Sequence, residues 1–222
     1  MKKLKVTITY IEELLGTASA NKEIHSEYIA KKAPDAPSRE EEVAAIGVDE
    51  ATEKAMTVFP KLMTAEEKVA RGYSEDDVVP FMWDYQWKGF FKDSCGMLRR
   101  ADGFKSPKLT AYKKVIDGLI FVTPRKVILE LPPNGKIGEI QRPLRASTPQ
   151  GERVALAHSE TVPAGTKQHL EVTVLKDSLV DYVIEWFNYG QLHGTGQWRN
   201  AGFGRYTYIA FDENDKFLSG NE

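Results

Sequence analysis

The chain has 222 residues, of which 41% are hydrophobic and 28% charged, and its net charge is −2. That balance is of a soluble globular protein with one large domain or two small ones. No window approaches the ~18 consecutive apolar residues of a membrane span. The N-terminal MKKLKVTITY alternates and lacks a signal-peptide core, so a cytoplasmic location is expected. The single Cys95 excludes an internal disulfide and a thiolate zinc site.

In chain order, Leu4, Val6, Ile8 and Tyr10 alternate with Lys5, Thr7 and Thr9, the period of a half-buried strand that Gly16 breaks. Residues 17–80 read as an acidic insertion of short helices. Ser38 with Glu41 suggests a capping box after Pro34 and Pro37, and Thr64 and Gly72 bracket a second helix. Tyr28 and Phe59 argue that the insertion packs against the core.

Phe81–Ala101 is the strongest helix, with Trp83, Trp87, Phe90, Phe91, Cys95 and Leu98 at spacings of three and four. Gly89 in its middle predicts a close neighbour. A shorter helix ends near Gly118, and Arg125–Leu131 reads as a strand stopped by Pro132-Pro133. Residues 134–164 form a hairpin insertion, two extended runs joined through TPQG. Gln168–Leu175 is a strand, followed by a helix with Asp177 as N-cap and Gly190 as C-cap. Arg205–Phe211 is the closing strand.

With the insertions set aside, the order is β–α–β–β–α–β. The fold class is α+β, a ferredoxin-like (RRM-like) antiparallel sheet with helices on one face, in a single domain over 1–222.

Charge is unevenly distributed. Asp35–Asp77 holds twelve acidic and five basic residues, and Tyr85–Arg145 thirteen basic and five acidic. Either a basic face lies beside an acidic appendage, or the two are solvated surfaces of opposite sign.

No phosphate-binding loop lysine, GxSxG elbow, HExxH or CxxC is present. The glycines from Gly194 to Gly204 follow a helix and precede a strand, the reverse of a dinucleotide fingerprint. A glycine-rich turn still offers backbone N–H groups to an anion. His25, His158, His169 and His193 are scattered without metal-ligand spacing, so no metal or cofactor is expected. His193, beside the loop with Arg199 and Arg205, is either a surface residue or a general acid or base for RNA cleavage. Arg199 and Arg205 suit phosphate, or else pair with the acidic insertion. Trp198 either stacks on a base or caps the core.

GTGQWRNAGFGRYTYI after a helix resembles the C-terminal glycine-rich signature of the RAMP superfamily, the RNA-binding subunits of CRISPR effector complexes. Gly194, Gly196, Arg199, Gly202, Phe203, Gly204 and Arg205 carry the match. LLGT at the end of the first strand and WKGFFKDSCGMLRRA are similar to two further family segments. The resemblance implies a diverged, backbone-subunit-like module that binds RNA without cutting it, with partners in a CRISPR-type complex or in a homo-oligomer, and origin in a mobile element fits it.

The residues expected to meet RNA are Lys88, Lys92, Arg99, Arg100, Arg142, Arg145, Gly194, Gly196, Trp198, Arg199, Gly202, Gly204 and Arg205. Two alternatives stand beside this reading. One is a metal-independent endoribonuclease of the same superfamily, using His193 or His25. The other is a protein–protein module that mimics or inhibits an effector complex through its acidic segment.

Overall fold

The structure, a computed structural model, describes residues 1–23, 25–26, 39–46, 56–148 and 151–221, and of residues 39, 40, 144–148 and 151–155 the backbone alone. Tyr28, Pro34, Pro37 and Ser38 lie outside the described residues. The strands are β1 (Lys2–Tyr10), β2 (Leu14–Leu15), β3 (Ala18–Ser19), β4 (Met56–Val58), β5 (Phe81–Trp83) and β6 (Ile120–Thr123). There follow β7 (Lys126–Ile128), β8 (Gly138–Thr148), β9 (Gly151–Val162), β10 (Lys167–Val174), β11 (Tyr206–Asp212) and β12 (Phe217–Asn221). The helices are α1 (Arg39–Ala44), α2 (Ala65–Ala70), α3 (Asp84–Leu98), α4 (Tyr112–Leu119) and α5 (Val180–His193).

The main sheet runs β12-β11-β1-β10-β6 with every neighbour antiparallel. Without β12, the strands stand in the chain order fourth, first, third, second, which is consistent with a ferredoxin-like α+β fold. β1 is central because Leu4, Val6, Ile8 and Tyr10 point to one face while Lys5, Thr7 and Thr9 point to the other. Val6 sits opposite Leu170 on one side and Ala210 on the other, so one apolar row crosses the sheet. α3 and α5 cover that row. α3 buries Trp87, Phe90, Phe91, Ser94, Cys95 and Leu98, and α5 buries Val183, Trp186, Phe187 and Gly190. Each fully buried large apolar side chain contributes about 1.5–3 kcal/mol.

The local boundaries differ from expectation in ways that follow from packing. The second strand of the main sheet is β6, not Arg125–Leu131. The apolar run after Gly118 alternates buried and exposed over Ile120–Thr123 and pairs Val122 with Val172. Periodicity alone does not separate so short an apolar run from a helix end. Of Arg125–Leu131 only β7 is a strand, and it pairs with β5 in a separate two-stranded ladder. Phe81–Trp83 therefore belongs to that ladder, and α3 begins at Asp84.

Asp177 makes no side-chain cap. It lies in a single 3-10 turn, with its carboxylate 3.5 Å from the N-terminal amine. Gly190 is inside α5, where a Cβ would collide with the Tyr206 hydroxyl, and the helix ends at Gly194. Thr64 caps α2 as expected, accepting from the Glu67 N–H at 3.2 Å. β12 follows the strand expected to close the chain.

The hairpin of β8 and β9 pairs along its whole length, from Gly138 with Thr161 to Thr148 with Gly151. β9 also carries β2 and, in parallel, β4, so the hairpin belongs to a second sheet with the segment after β1. Opposite charges from the acidic and basic stretches meet at the β5–β7 ladder. Lys126 binds Glu41 at 2.9 Å and Glu67 at 3.0 Å, and Arg125 binds the buried Glu42 at 3.2 Å. Part of the charge asymmetry is thus used between the two stretches. Among the described residues no helix is long and apolar enough to cross a membrane.

Candidate nucleic-acid interface

The glycine-rich loop leaves α5 at Gly194 and returns to the sheet at β11. Its glycines are required first by the chain itself. Gly204 has φ +71°, and a Cβ there would run into the Thr195 carbonyl, since Thr195 N–H donates to Gly204 O at 2.9 Å. Gly204 N–H in turn donates to Glu13 O at 2.8 Å. Gly196 has φ +73°, and a Cβ would stand 2.6 Å from Leu14 Cδ1. A Cβ on Gly194 would meet the Phe203 carbonyl. Gly202 alone among the four faces open space, with the Arg205 guanidinium carbon at 4.0 Å. The close approach foreseen from the glycines is therefore mostly loop against loop and loop against residues 13–15.

A buried polar cluster fixes this loop to the sheet. Tyr10 Oη donates to Gln168 Oε1 at 2.9 Å and lies 3.2 Å from Thr195 Oγ1. Burial pushes the Tyr10 phenol far up, so it acts as a neutral donor.

Between this loop and α3 lies a cleft of about 690 Å³. Trp87 and Phe90 line its apolar part, Lys88, Lys92 and Asp93 one wall, and Thr195, Gly196 and Arg199 the other, with Asp117 at the rim. Gly89 opens into it. A Cβ there would have nothing within 4 Å, so the neighbour expected from the sequence is absent among the described residues. Lys88 and Lys92 share a face because four residues make one turn.

The cleft's cations are held by the chain's own oxygens. Lys92 Nζ lies 2.5 Å from Asp117 Oδ1, and Lys88 Nζ donates to the Asp117 carbonyl at 3.1 Å. Arg199 Nη1 donates to Asp93 Oδ2 at 2.6 Å. The pairing of Arg199 is with α3, not with the acidic insertion. Burial draws Lys88 below the ordinary lysine value, against the pull of Asp117. Sequence reasoning missed both carboxylates. Asp93 was in plain view one residue after Lys92, whereas Asp117 arrives from the far end of α4.

The remaining basic residues stand apart. Arg99 donates to the Leu109 carbonyl and lies over the Tyr112 ring at 5.3 Å, and Arg100 is exposed at the far end of α3. Arg145 lies on β8 opposite Val154, and its side chain is outside the described residues. Arg205 is exposed, with no ion pair among the described residues.

Arg142 is only 8% exposed. Its Nη2 donates to Gln197 Oε1 at 3.2 Å, while Nε and Nη1 are buried without hydrogen-bond partners among the described residues. Its guanidinium lies 4.7 Å from the Trp198 ring centroid, and Phe203 stacks on the same indole at 5.2 Å. Trp198, 41% exposed, thus joins hairpin to loop. Desolvation lowers the Arg142 value.

The open face of the main sheet is not a basic surface. Lys3 pairs with Glu171 at 2.9 Å, Lys5 with Asp215 at 2.6 Å, and His169 approaches Glu130 at 3.4 Å. His25 is buried, with Nε2 unpartnered among the described residues.

No family model and no curated protein matches the chain. Many solved structures are similar to it, and two of them align over 99% of it. One is a chain of a type III-B Cmr-beta complex bound to cognate target RNA, 8% identical with a TM-score of 0.49, of whose length this chain covers 60%. The other is a chain of a type IV-B CRISPR complex, 13% identical with a TM-score of 0.49 and 93% covered.

Proposed function

We propose that the chain is a non-catalytic RNA-binding module of the RAMP type, working within a CRISPR-type ribonucleoprotein. The single observation that carries the reading is the cleft. It brings Lys88 and Lys92 of α3 together with Gly196 and Arg199, which lie more than a hundred positions later in the chain. Three cations around an open apolar trough fit a sugar–phosphate strand. Their partners Asp93 and Asp117 keep them extended at the rim. Exposed ion pairs of this kind contribute about 0–1 kcal/mol, so phosphates replace the carboxylates at small cost.

The non-catalytic reading is supported by the histidines. His193 Nε2 and His25 Nε2 are both shielded from solvent, so neither Nε2 meets a ribose hydroxyl in this arrangement.

Fluorescence anisotropy with a 20-nucleotide labelled oligouridylate at low salt tests the proposal. Saturable binding that competes with unlabelled RNA is the expected result. No binding, or shortening of the RNA during incubation, overturns it.

A further inference from the structure

One oxygen of Asp93 serves two groups. Arg199 Nη1 lies 2.6 Å from Asp93 Oδ2, and His193 Nε2 lies 3.3 Å from the same atom. The arginine contact has full hydrogen-bond geometry, whereas the buried imidazole nitrogen approaches the same oxygen without it and makes no other hydrogen bond among the described residues. The ionic groups facing His193 are Asp93 from α3 and Arg199 from the loop, and the Tyr189 ring of its own helix stacks on it at 4.9 Å. Burial first, and the Arg199 charge second, hold His193 below its ordinary value, while Asp93 pulls the other way.

We propose that Asp93, His193 and Arg199 form a proton-linked latch on the cleft. A phosphate that draws Arg199 away leaves the Asp93 carboxylate to His193, which takes a proton from solvent as the anion binds. The proposal rests on the RNA-binding reading of the cleft.

Three changes act in one direction when the anion arrives. The opposing guanidinium moves off, Asp93 loses its competing cation, and the phosphate adds negative potential. His193 protonated then gives its buried Nε2 a charged partner, and Asp93 stays ionised throughout.

The sign follows from linkage. The imidazole holds its proton more tightly in the complex than in the free protein, so lowering the pH favours the complex. The gain begins as pH falls through the bound value and is complete below the free one. The free value lies below the ordinary imidazole value because of burial and the Arg199 charge. Each pH unit separating the two values corresponds to about a tenfold change in affinity.

The experiment measures affinity for a 20-nucleotide oligouridylate between pH 8 and 5.5 at constant ionic strength, for wild type and His193→Gln. Titration calorimetry in two buffers of different ionisation enthalpy counts protons. The expected result is about tenfold more tightening at low pH in wild type than in His193→Gln, with uptake of about half a proton midway between the two values that the variant lacks. A second measurement needs no RNA. The His193 imidazole is titrated by NMR in wild type and Arg199→Gln, and the arginine variant is expected to titrate at higher pH. RNA binding with the same pH dependence in both proteins overturns the latch and leaves the RNA reading standing. No RNA binding at any pH overturns that reading, and an imidazole unmoved by Arg199→Gln overturns the latch with or without RNA.

Discussion

Raising salt is the perturbation that separates a local cleft from a wide basic face. On single-stranded RNA each neutralised phosphate contributes about −0.7 to the slope of log affinity against log salt. Lys88, Lys92 and Arg199 are the cations lining the cleft. Three such contacts give a slope of about −2.1, an approximately 18-fold loss between about 50 and about 200 mM salt.

Had all of Lys88, Lys92, Arg99, Arg100, Arg142, Arg145, Arg199 and Arg205 met phosphate, the slope would be about −5.6 and the loss roughly 2,000-fold. The geometry argues for the smaller figure. Arg99 is committed to the Leu109 carbonyl, and Arg142 is buried against Trp198. Anisotropy titrations with oligouridylate at four or five salt concentrations measure the slope directly. Arg199→Gln should lower the wild-type loss to about sevenfold, and Arg100→Gln should leave it unchanged. A wild-type slope steeper than about −4, or equal effects of the two variants, would refute the assignment to the cleft.

Other outcomes follow from the same contacts. Asp117→Asn frees Lys92 from a carboxylate 2.5 Å away, so RNA affinity should rise about two- to fivefold, the scale of one exposed ion pair. Gly204→Ala should destabilise by about 2–4 kcal/mol in denaturant unfolding, since it adds left-handed strain to a backbone collision. Gly89→Ala meets no atom within 4 Å and should stabilise by about 0.5–1 kcal/mol. The same methyl group enters the cleft and should weaken RNA binding. Arg142→Met removes a buried guanidinium with two nitrogens unpartnered among the described residues. It should raise stability by about 1 kcal/mol, or roughly 2–4 °C in Tm. A lower Tm would show that the Gln197 bond and the Trp198 contact outweigh desolvation.

The features legible in the amino-acid order are local. Alternation in β1, β10 and β11, and the aromatic spacing of α3, are properties of neighbouring residues, and they are enough for the α+β class and for placing the glycine-rich loop between a helix and a strand. The hairpin and the Thr64 cap were legible for the same reason.

What lay far apart in the chain was decided by tertiary structure. Ile120–Thr123 became the second core strand because Val172 offered it a partner, and Lys126–Ile128 was diverted to Phe81–Trp83. Asp117 reached Lys92, and Arg142 sank beneath Trp198, through folding that no periodicity records. The glycines were conspicuous in the sequence, but their reason was not. Thr195, Glu13 and Leu14 fill the space around them, and only Gly202 of the four faces open room. Spacing along a chain reports which side of an element a residue occupies, whereas charge pairing and close approach depend on what the rest of the chain brings to that side.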